Sequence, residues 1–189
     1  HWFSKTERRQ VLCVVGAQPG EGRSYLAANL AIVFAQAGER TLLIDANLRR
    51  PRIHEMFALS NRSGLSTLLS GRTGNEAIVH ITELAGLFVL PSGPTPPNPL
   101  ELLGQVAFAD LLNSARASFD VVIVDTPGVS DGDDAILVTA RAGAALAVAR
   151  SRHTKVEAFR SMLAEMKSMG VLMAGTVLND VPAKRAVAS

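Results

Sequence analysis

Residues 11–38 read VLCVVGAQPGEGRSYLAANLAIVFAQAG, and the order of features in this stretch decides the fold. VLCVVGA (11–17) is an unbroken apolar run, the pattern of a strand buried on both faces. SYLAANLAIVFAQAG (24–38) carries apolar residues at helical spacing and stops at Gly38. Between them lies GAQPGEGRSY (16–25), which supplies a glycine-rich turn, a cation and a hydroxyl just before the helix. That order suits a phosphate anion. Gly20 and Gly22 can take backbone angles closed to other residues, so consecutive N–H groups can point inward. The helix that follows presents the positive end of its dipole. Ser24 sits where a hydroxyl would ligate Mg²⁺. The strict pattern GxxxxGK[ST] is met imperfectly: Ala17 fills the slot of the first glycine and Arg23 the slot of the lysine. Arg brings a long planar fork where Lys brings a compact point charge. Nucleotide binding with reduced turnover is therefore as well supported as full activity. The competing reading is a glycine-rich strand-to-helix turn that holds no ligand.

Working outward, short apolar runs alternate with helical segments. Strands are expected over TLLIDA (41–46), LAGLFVLPSG (84–93), DVVIVDTPG (120–128), ALAVAR (145–150) and VLMAGTVLN (171–179). Helices are expected at 51–58, 64–70, 74–80, 100–119, 133–143 and 154–170. The last of these has a Met/Leu stripe with charges of mixed sign, which suits a helix covering a sheet better than one lying on a membrane. Strands buried on both faces and alternating with helices mean an α/β fold with a doubly wound, mostly parallel sheet. Ligands in such sheets bind at the carboxyl ends of strands. The chemistry is therefore expected just after residues 17, 46, 126, 150 and 178.

Composition narrows the classes. Of 189 residues, 48% are hydrophobic and 19% charged, so the chain can close one core. Net charge is +2, too small to argue for nucleic acid by itself. Fifteen Arg stand against four Lys, so an Arg in a lysine slot can reflect general usage. Cys13 is the lone cysteine, which excludes a disulfide scaffold and a cysteine-built zinc site. No apolar run approaches the roughly 20 residues that span a bilayer. No secretory leader is recognisable, and the first residue is His1 and not Met. Residues 1–10 are accordingly expected to be an extension or a cut inside a longer protein, 11–180 the folded domain, and 181–189 a tail.

LLIDANLRRP (42–51) and FDVVIVDTPG (119–128) each place an Asp at the end of an apolar run. Asp45 and Asp125 are the natural pair to hold Mg²⁺ beside Ser24, directly or through water. The bland alternative is a turn-capping Asp. Asn47 lies two residues past Asp45, where an extended backbone turns both to one side, but an amide is no general base. Asp131 and Asp133 read as helix-capping charges before helix 133–143. Arg49, Arg50 and Arg52 form a basic knot that is either a solvated or subunit-contacting turn, or a phosphate reader.

PGEGRS, LLIDANLRRPRIHEMF, GPTPPNPLELL, FDVVIVDTPGVSDGDDAILV and GTVLND occur in one order. This combination resembles the bacterial tyrosine kinases of exopolysaccharide and capsule synthesis, most closely the EpsG branch of chain-length-determinant kinases. The likeness runs from about Val11 to Asp180, and PPNPLELL is its most discriminating piece. The wider resemblance is to the deviant-Walker ATPases such as MinD and ParA. It implies a P-loop NTPase fold, a three-layer sandwich. Pro19, Gly20, Glu21, Gly22, Arg23, Ser24 and Tyr25 would wrap the phosphates of ATP or ADP. Ser24, Asp45 and Asp125 would hold Mg²⁺, and Asp45 would also activate a tyrosine hydroxyl. Arg23, Asp45, Asn47 and Asp125 fall at catalytic positions. Asn179 falls where the family touches adenine, with Arg150 near the same end, and Asp134 matches an acidic position after the third motif.

The resemblance further implies transfer of the ATP γ-phosphoryl group to protein tyrosine. It implies regulation of polysaccharide chain length, polymerisation and export at the inner face of the bacterial inner membrane, in the cytoplasm. The implied partner is a membrane-spanning polysaccharide co-polymerase, fused or separate. Self-association in a ring is also implied, with no nucleic acid and with membrane contact only through the partner. The chain departs from the family pattern in four respects. Arg23 replaces Lys, Asn47 replaces a second Asp, Gly128 replaces a second Pro, and VPAKRAVAS contains no tyrosine, leaving Tyr25 the only one. The ring-forming Glu/Arg motif is not recognisable in HWFSKTERRQ. Three other functions stay open: a nucleotide-gated switch with little kinase activity, a positioning ATPase of the MinD/ParA kind, and a structural domain that binds no nucleotide. If Arg23 and Asn47 cost activity, Arg23→Lys with Asn47→Asp should raise turnover.

Overall fold

The computed structural model describes residues 10–180. The expectations for HWFSKTERRQ and for the tail 181–189 therefore fall wholly or almost wholly outside the described residues. Seven strands form one sheet: β1 Val11–Gly16, β2 Thr41–Asp45, β3 Val79–His80, β4 Leu87–Leu90, β5 Val121–Asp125, β6 Ala144–Arg150 and β7 Leu172–Asn179. Their order is β3-β4-β2-β5-β1-β6-β7, and every pairing is parallel except β3 with β4. The helices are α1 Arg23–Gln36, α2 Ile53–Met56, α3 Leu65–Leu69, α4 Pro99–Gly104, α5 Val106–Ser118, α6 Asp134–Ala142 and α7 Val156–Ser168. The doubly wound, mostly parallel sheet expected from the alternation is what forms.

The pleat divides the core. Val11, Cys13 and Val15 of β1 face one layer, with α5, α6 and α7, whereas Leu12 and Val14 face the other, with α1. The contact face of α1 is almost all alanine: Ala27, Ala28, Ala31 and Ala35 are buried. Such small side chains let the helix lie close over the sheet. From α7, Met162 and Met166 enter the core, so its Met stripe covers the sheet. Burial pushes the Cys13 thiol up to about 12, which takes it out of thiolate chemistry.

Three expectations need correction. The stretch 100–119 is two helices, because Gln105 adopts an extended conformation (φ −66°, ψ 157°). Arg141 donates to the carbonyls of Gly104 and Gln105, so the groups freed at the break are satisfied from another element. Residues 74–80 form a short 3₁₀ turn at Asn75–Ala77 and then β3, an antiparallel edge that two residues are too few to announce by periodicity. Finally, β7 is not buried on both faces. It closes the other edge of the sheet, with Leu172 and Leu178 exposed. Among the described residues no helix is long and apolar enough to cross a membrane.

Candidate functional site

Because the five central and C-terminal strands run parallel, β1, β2, β5, β6 and β7 all release their chains at one edge of the sheet. The loop 17–22 leaves β1 there and enters α1. Gly20 and Gly22 have φ of +80° and +92°, which favour glycine. At Gly22 a Cβ would also collide with the Asn179 side-chain amide. Positive φ thus favours glycine at both positions, and a close approach adds to it at Gly22.

The loop walls two adjoining clefts. The larger, 610 Å³, is lined by Pro19, Gly20, Gly22, Arg23, Ser24 and Tyr25, with Asn47, Arg50, Arg52 and Asp131 opposite. The second, 440 Å³, is lined by Gly22, Tyr25, Leu26, Val148, Val177, Leu178 and Asn179. Gly22 and Tyr25 border both. A cleft lined by arginines meeting an apolar slot at a glycine-rich turn has the make-up of a site for a phosphorylated ligand with a flat organic end.

Asp45 and Asp125 are direct register partners in β2 and β5, and both are fully buried. Their situations differ. Asp45 Oδ1 accepts from the Asn47 N–H at 3.1 Å, and Oδ2 from the N–H groups of Arg52 and Ile53 at 3.3 and 3.2 Å. It therefore ties down the loop that carries Asn47, Arg50 and Arg52, as a turn-capping Asp would. The Asn47 side chain turns to its own backbone too, accepting from the Arg50 N–H at 3.1 Å. Neither oxygen of Asp125 accepts a well-aligned hydrogen bond, although the Ser24 hydroxyl and the Thr126 N–H lie near the carboxylate. Burial pushes its carboxyl above the ordinary range; the nearby Ser24 hydroxyl and Arg23 charge moderate that rise without cancelling it. Asp45 is also raised, first by burial and then by the Asp125 charge, against the three N–H groups that lower it. Two adjacent buried carboxylates with one left unpartnered are a configuration that a small divalent cation relieves. Mg²⁺ asks only for one or two carboxylates with hydroxyl, water and phosphate oxygens, so no larger acidic cluster is needed. The Ser24 hydroxyl and the Asp125 carboxylate have the chemistry to hold it, with Asp45 beside them in the next strand.

The structure distributes the other candidates unequally. Arg23 is only 7% exposed, and its guanidinium is tied back: Nε donates to the Thr126 carbonyl at 3.1 Å, and Nη1 donates to the Gln18 carbonyl at 2.6 Å and to Glu21 Oε2 at 3.1 Å. Glu21, fully buried, also accepts from the Thr154 hydroxyl at 2.6 Å. Of the basic knot, Arg50 and Arg52 line the larger cleft, whereas Arg49 is ion-paired with Asp134. Asp134 accordingly holds the second loop and does not line either cleft. Asp133 occupies the expected N-cap position of α6, without a side-chain capping bond, whereas Asp131 lies in the preceding 3₁₀ turn and lines the larger cleft, so the capping reading is corrected for Asp131 alone. Sequence reasoning missed His153 and Thr154. Both bond to a loop 133–134 positions earlier, and no spacing rule reaches that far.

Residues 9–159 match the family of the cellulose biosynthesis protein BcsQ. Among curated relatives, the tyrosine-protein kinase YwqD of Bacillus subtilis (strain 168) is 40% identical over 183 residues, spanning 94% of this chain and 77% of that protein. The tyrosine-protein kinase ptk of Acinetobacter johnsonii is 36% identical over 96% of this chain, which spans only 25% of its length. Among solved structures, the kinase domain of Escherichia coli tyrosine kinase ETK superposes with a TM-score of 0.87 at 35% identity, covering 96% of this chain and 71% of that one. The MinD of Pyrococcus horikoshii OT3 shares the fold, with a TM-score of 0.76 at 18% identity over 89% of this chain and 69% of that one.

Proposed function

The chain belongs to the bacterial tyrosine-protein kinase family and, over residues 9–159, to the family of the cellulose biosynthesis protein BcsQ; from that premise we propose that it binds Mg-ATP and transfers the γ-phosphoryl group to protein tyrosine. The observation that carries this reading is the buried, unpartnered Asp125 carboxylate beside Ser24 at the mouth of the glycine-rich loop. Bound magnesium would neutralise charge on the transferring phosphoryl group. The loop N–H groups and the dipole of α1 bind the phosphates. The apolar slot at Val177, Leu178 and Asn179 takes the adenine. Asp45 holds the opposite wall in place, and Arg50 faces the phosphates from that wall. In the reaction the tyrosine Oη–P bond forms as the bond from Pγ to the bridging oxygen breaks, ADP leaves with that oxygen, and the Oη proton passes to solvent. The biological output is regulation of exopolysaccharide chain length and export, exerted in the cytoplasm through a membrane-spanning co-polymerase.

One observation favours a second version, a nucleotide-gated switch with little turnover. The Arg23 guanidinium is engaged by Glu21 and two carbonyls, so the loop's own cation is held off the phosphates. The two versions separate when the chain is incubated with labelled ATP, Mg²⁺ and a tyrosine-containing polypeptide. Phosphotyrosine is expected; saturable ATP binding without any label in the polypeptide leaves only the switch.

Magnesium binding should also depend on pH in a stated direction. The folded carboxyls of Asp45 and Asp125 lie above the ordinary value near 4. A cation must displace their protons, so its affinity rises as they ionise. The rise in melting temperature given by Mg-ADP over the free chain should be small at pH 5.5 and increase toward pH 8. A shift independent of pH over that interval would remove the carboxylate pair from the binding site.

A further inference from the structure

We infer that a set of side chains behind the glycine-rich loop, led by Arg150 and His153 of the β6–α7 turn, preorganises it for phosphate by holding its carbonyls outward. This rests on the nucleotide reading above. Carbonyls of four consecutive loop residues each accept a hydrogen bond from a side chain. Gln18 accepts from Arg23 Nη1 at 2.6 Å, Pro19 is paired with His153 Nε2 at 2.7 Å, Gly20 accepts from Arg150 Nη1 at 3.0 Å, and Glu21 accepts from Asn179 Nδ2 at 3.0 Å. His153 must donate, since a carbonyl only accepts. A trans peptide is planar, so fixing a carbonyl in one direction sends the next N–H the opposite way. The N–H groups of Gly20, Glu21 and Gly22 are thereby turned from the clamp, and none donates to any group among the described residues. Saturated carbonyls behind and open donors in front are the two halves of an anion nest.

The turn that supplies the clamp is itself fastened to the loop. The Thr154 hydroxyl donates to Glu21 Oε1, and the Lys155 N–H donates to the Gln18 side-chain oxygen at 2.9 Å. Arg150 and His153 are thus positioning residues, acting on the ligand through the loop backbone. This differs from a contact with the base, which the family likeness implies for that end of the sheet.

The two roles are distinguished by which part of the ligand feels the change. Binding of Mg-ADP and of inorganic Mg-tripolyphosphate is measured by calorimetry at pH 8. Arg150→Ala and His153→Ala should each weaken both ligands by the same factor, roughly three- to tenfold, the worth of one hydrogen bond. His153→Gln, which keeps an N–H donor, should restore most of the loss. Both residues are partly or fully exposed, so the fold survives their replacement. A loss confined to ADP, a failure of Gln to rescue, or tripolyphosphate that does not bind a chain that binds Mg-ADP would each overturn the clamp. If the unaltered chain binds no Mg-ADP, the nucleotide reading itself falls, and the clamp with it.

Discussion

At pH 8, the Asp125→Asn chain should melt higher than the unaltered one in the absence of nucleotide, and should lose Mg-ATP-dependent activity. The cause of both effects is one carboxylate. Asp125 is buried with neither oxygen hydrogen-bonded, beside Asp45 in the next strand. Removing one of two buried like charges relieves repulsion and desolvation by about 1–2 kcal/mol, or roughly 2–8 °C for a domain of this size. The sign with pH follows from the direction of the shift. The folded carboxyls are raised, so the native chain holds protons more tightly than the unfolded one. The contribution of this pair to nucleotide-free stability is therefore greatest at low pH and is lost as pH rises from the ordinary carboxylate range through the raised pair. The advantage of Asn is then large at pH 8 and close to nothing at pH 5. Activity should fall about a hundredfold or more, because an amide leaves the metal without its one unengaged carboxylate. Melting curves with and without Mg-ADP check both halves. A variant less stable than the parent at pH 8 would mean that Asp125 is a structural group and not a site held ready for a cation.

Arg23→Met tests what the residue in the lysine slot does. If its main work were to touch phosphate, the substitution would cost turnover and spare the fold. The geometry says otherwise. Arg23 and Glu21 are both buried and ion-paired, and the guanidinium also satisfies the carbonyls of Gln18 and Thr126. Removing one partner leaves the other charge buried and uncompensated, a loss of about 3–5 kcal/mol. Urea unfolding should show a midpoint lowered accordingly. Glu21→Gln introduced with Arg23→Met should recover a good part of that loss, since the double change removes the charge left behind. Additive losses in the two variants would show that the pair does not couple. The same contacts bear on Arg23→Lys: an ammonium can reach one or two of these acceptors but has no Nε to give Thr126. A gain in turnover from that change would therefore come with a lower melting point.

The fold was readable from residues 11–38 and from the acidic ends of 41–45 and 121–125. Buried parallel strands must be apolar throughout, and a phosphate turn needs glycines at set places; both are local demands written in the chain. The positions of Ser24 at the loop end and Asp125 at the strand end follow for the same reason. Asp45 was legible as an acidic strand end, but not its use: three backbone donors from the next loop claim it, and only the path of that loop reveals this. Arg49 and Arg50 are neighbours with the same chemistry, yet one is spent on Asp134 and the other faces the cleft. Their divergence depends on where α6 begins, far along the chain.

Sequence by itself determined the alternation of strands and helices, the glycine-rich turn and the residue types gathered at the carboxyl edge of the sheet, because these depend on periodicity and on the conformational range of single residues. Only the tertiary structure decided which charges are held back and which are presented. Arg23 turns to the Thr126 carbonyl, and Arg150 and His153 to the carbonyls of the glycine-rich loop. A hydrogen bond is a matter of a few ångströms in space, and partners more than a hundred residues apart leave no mark in the local pattern of either segment.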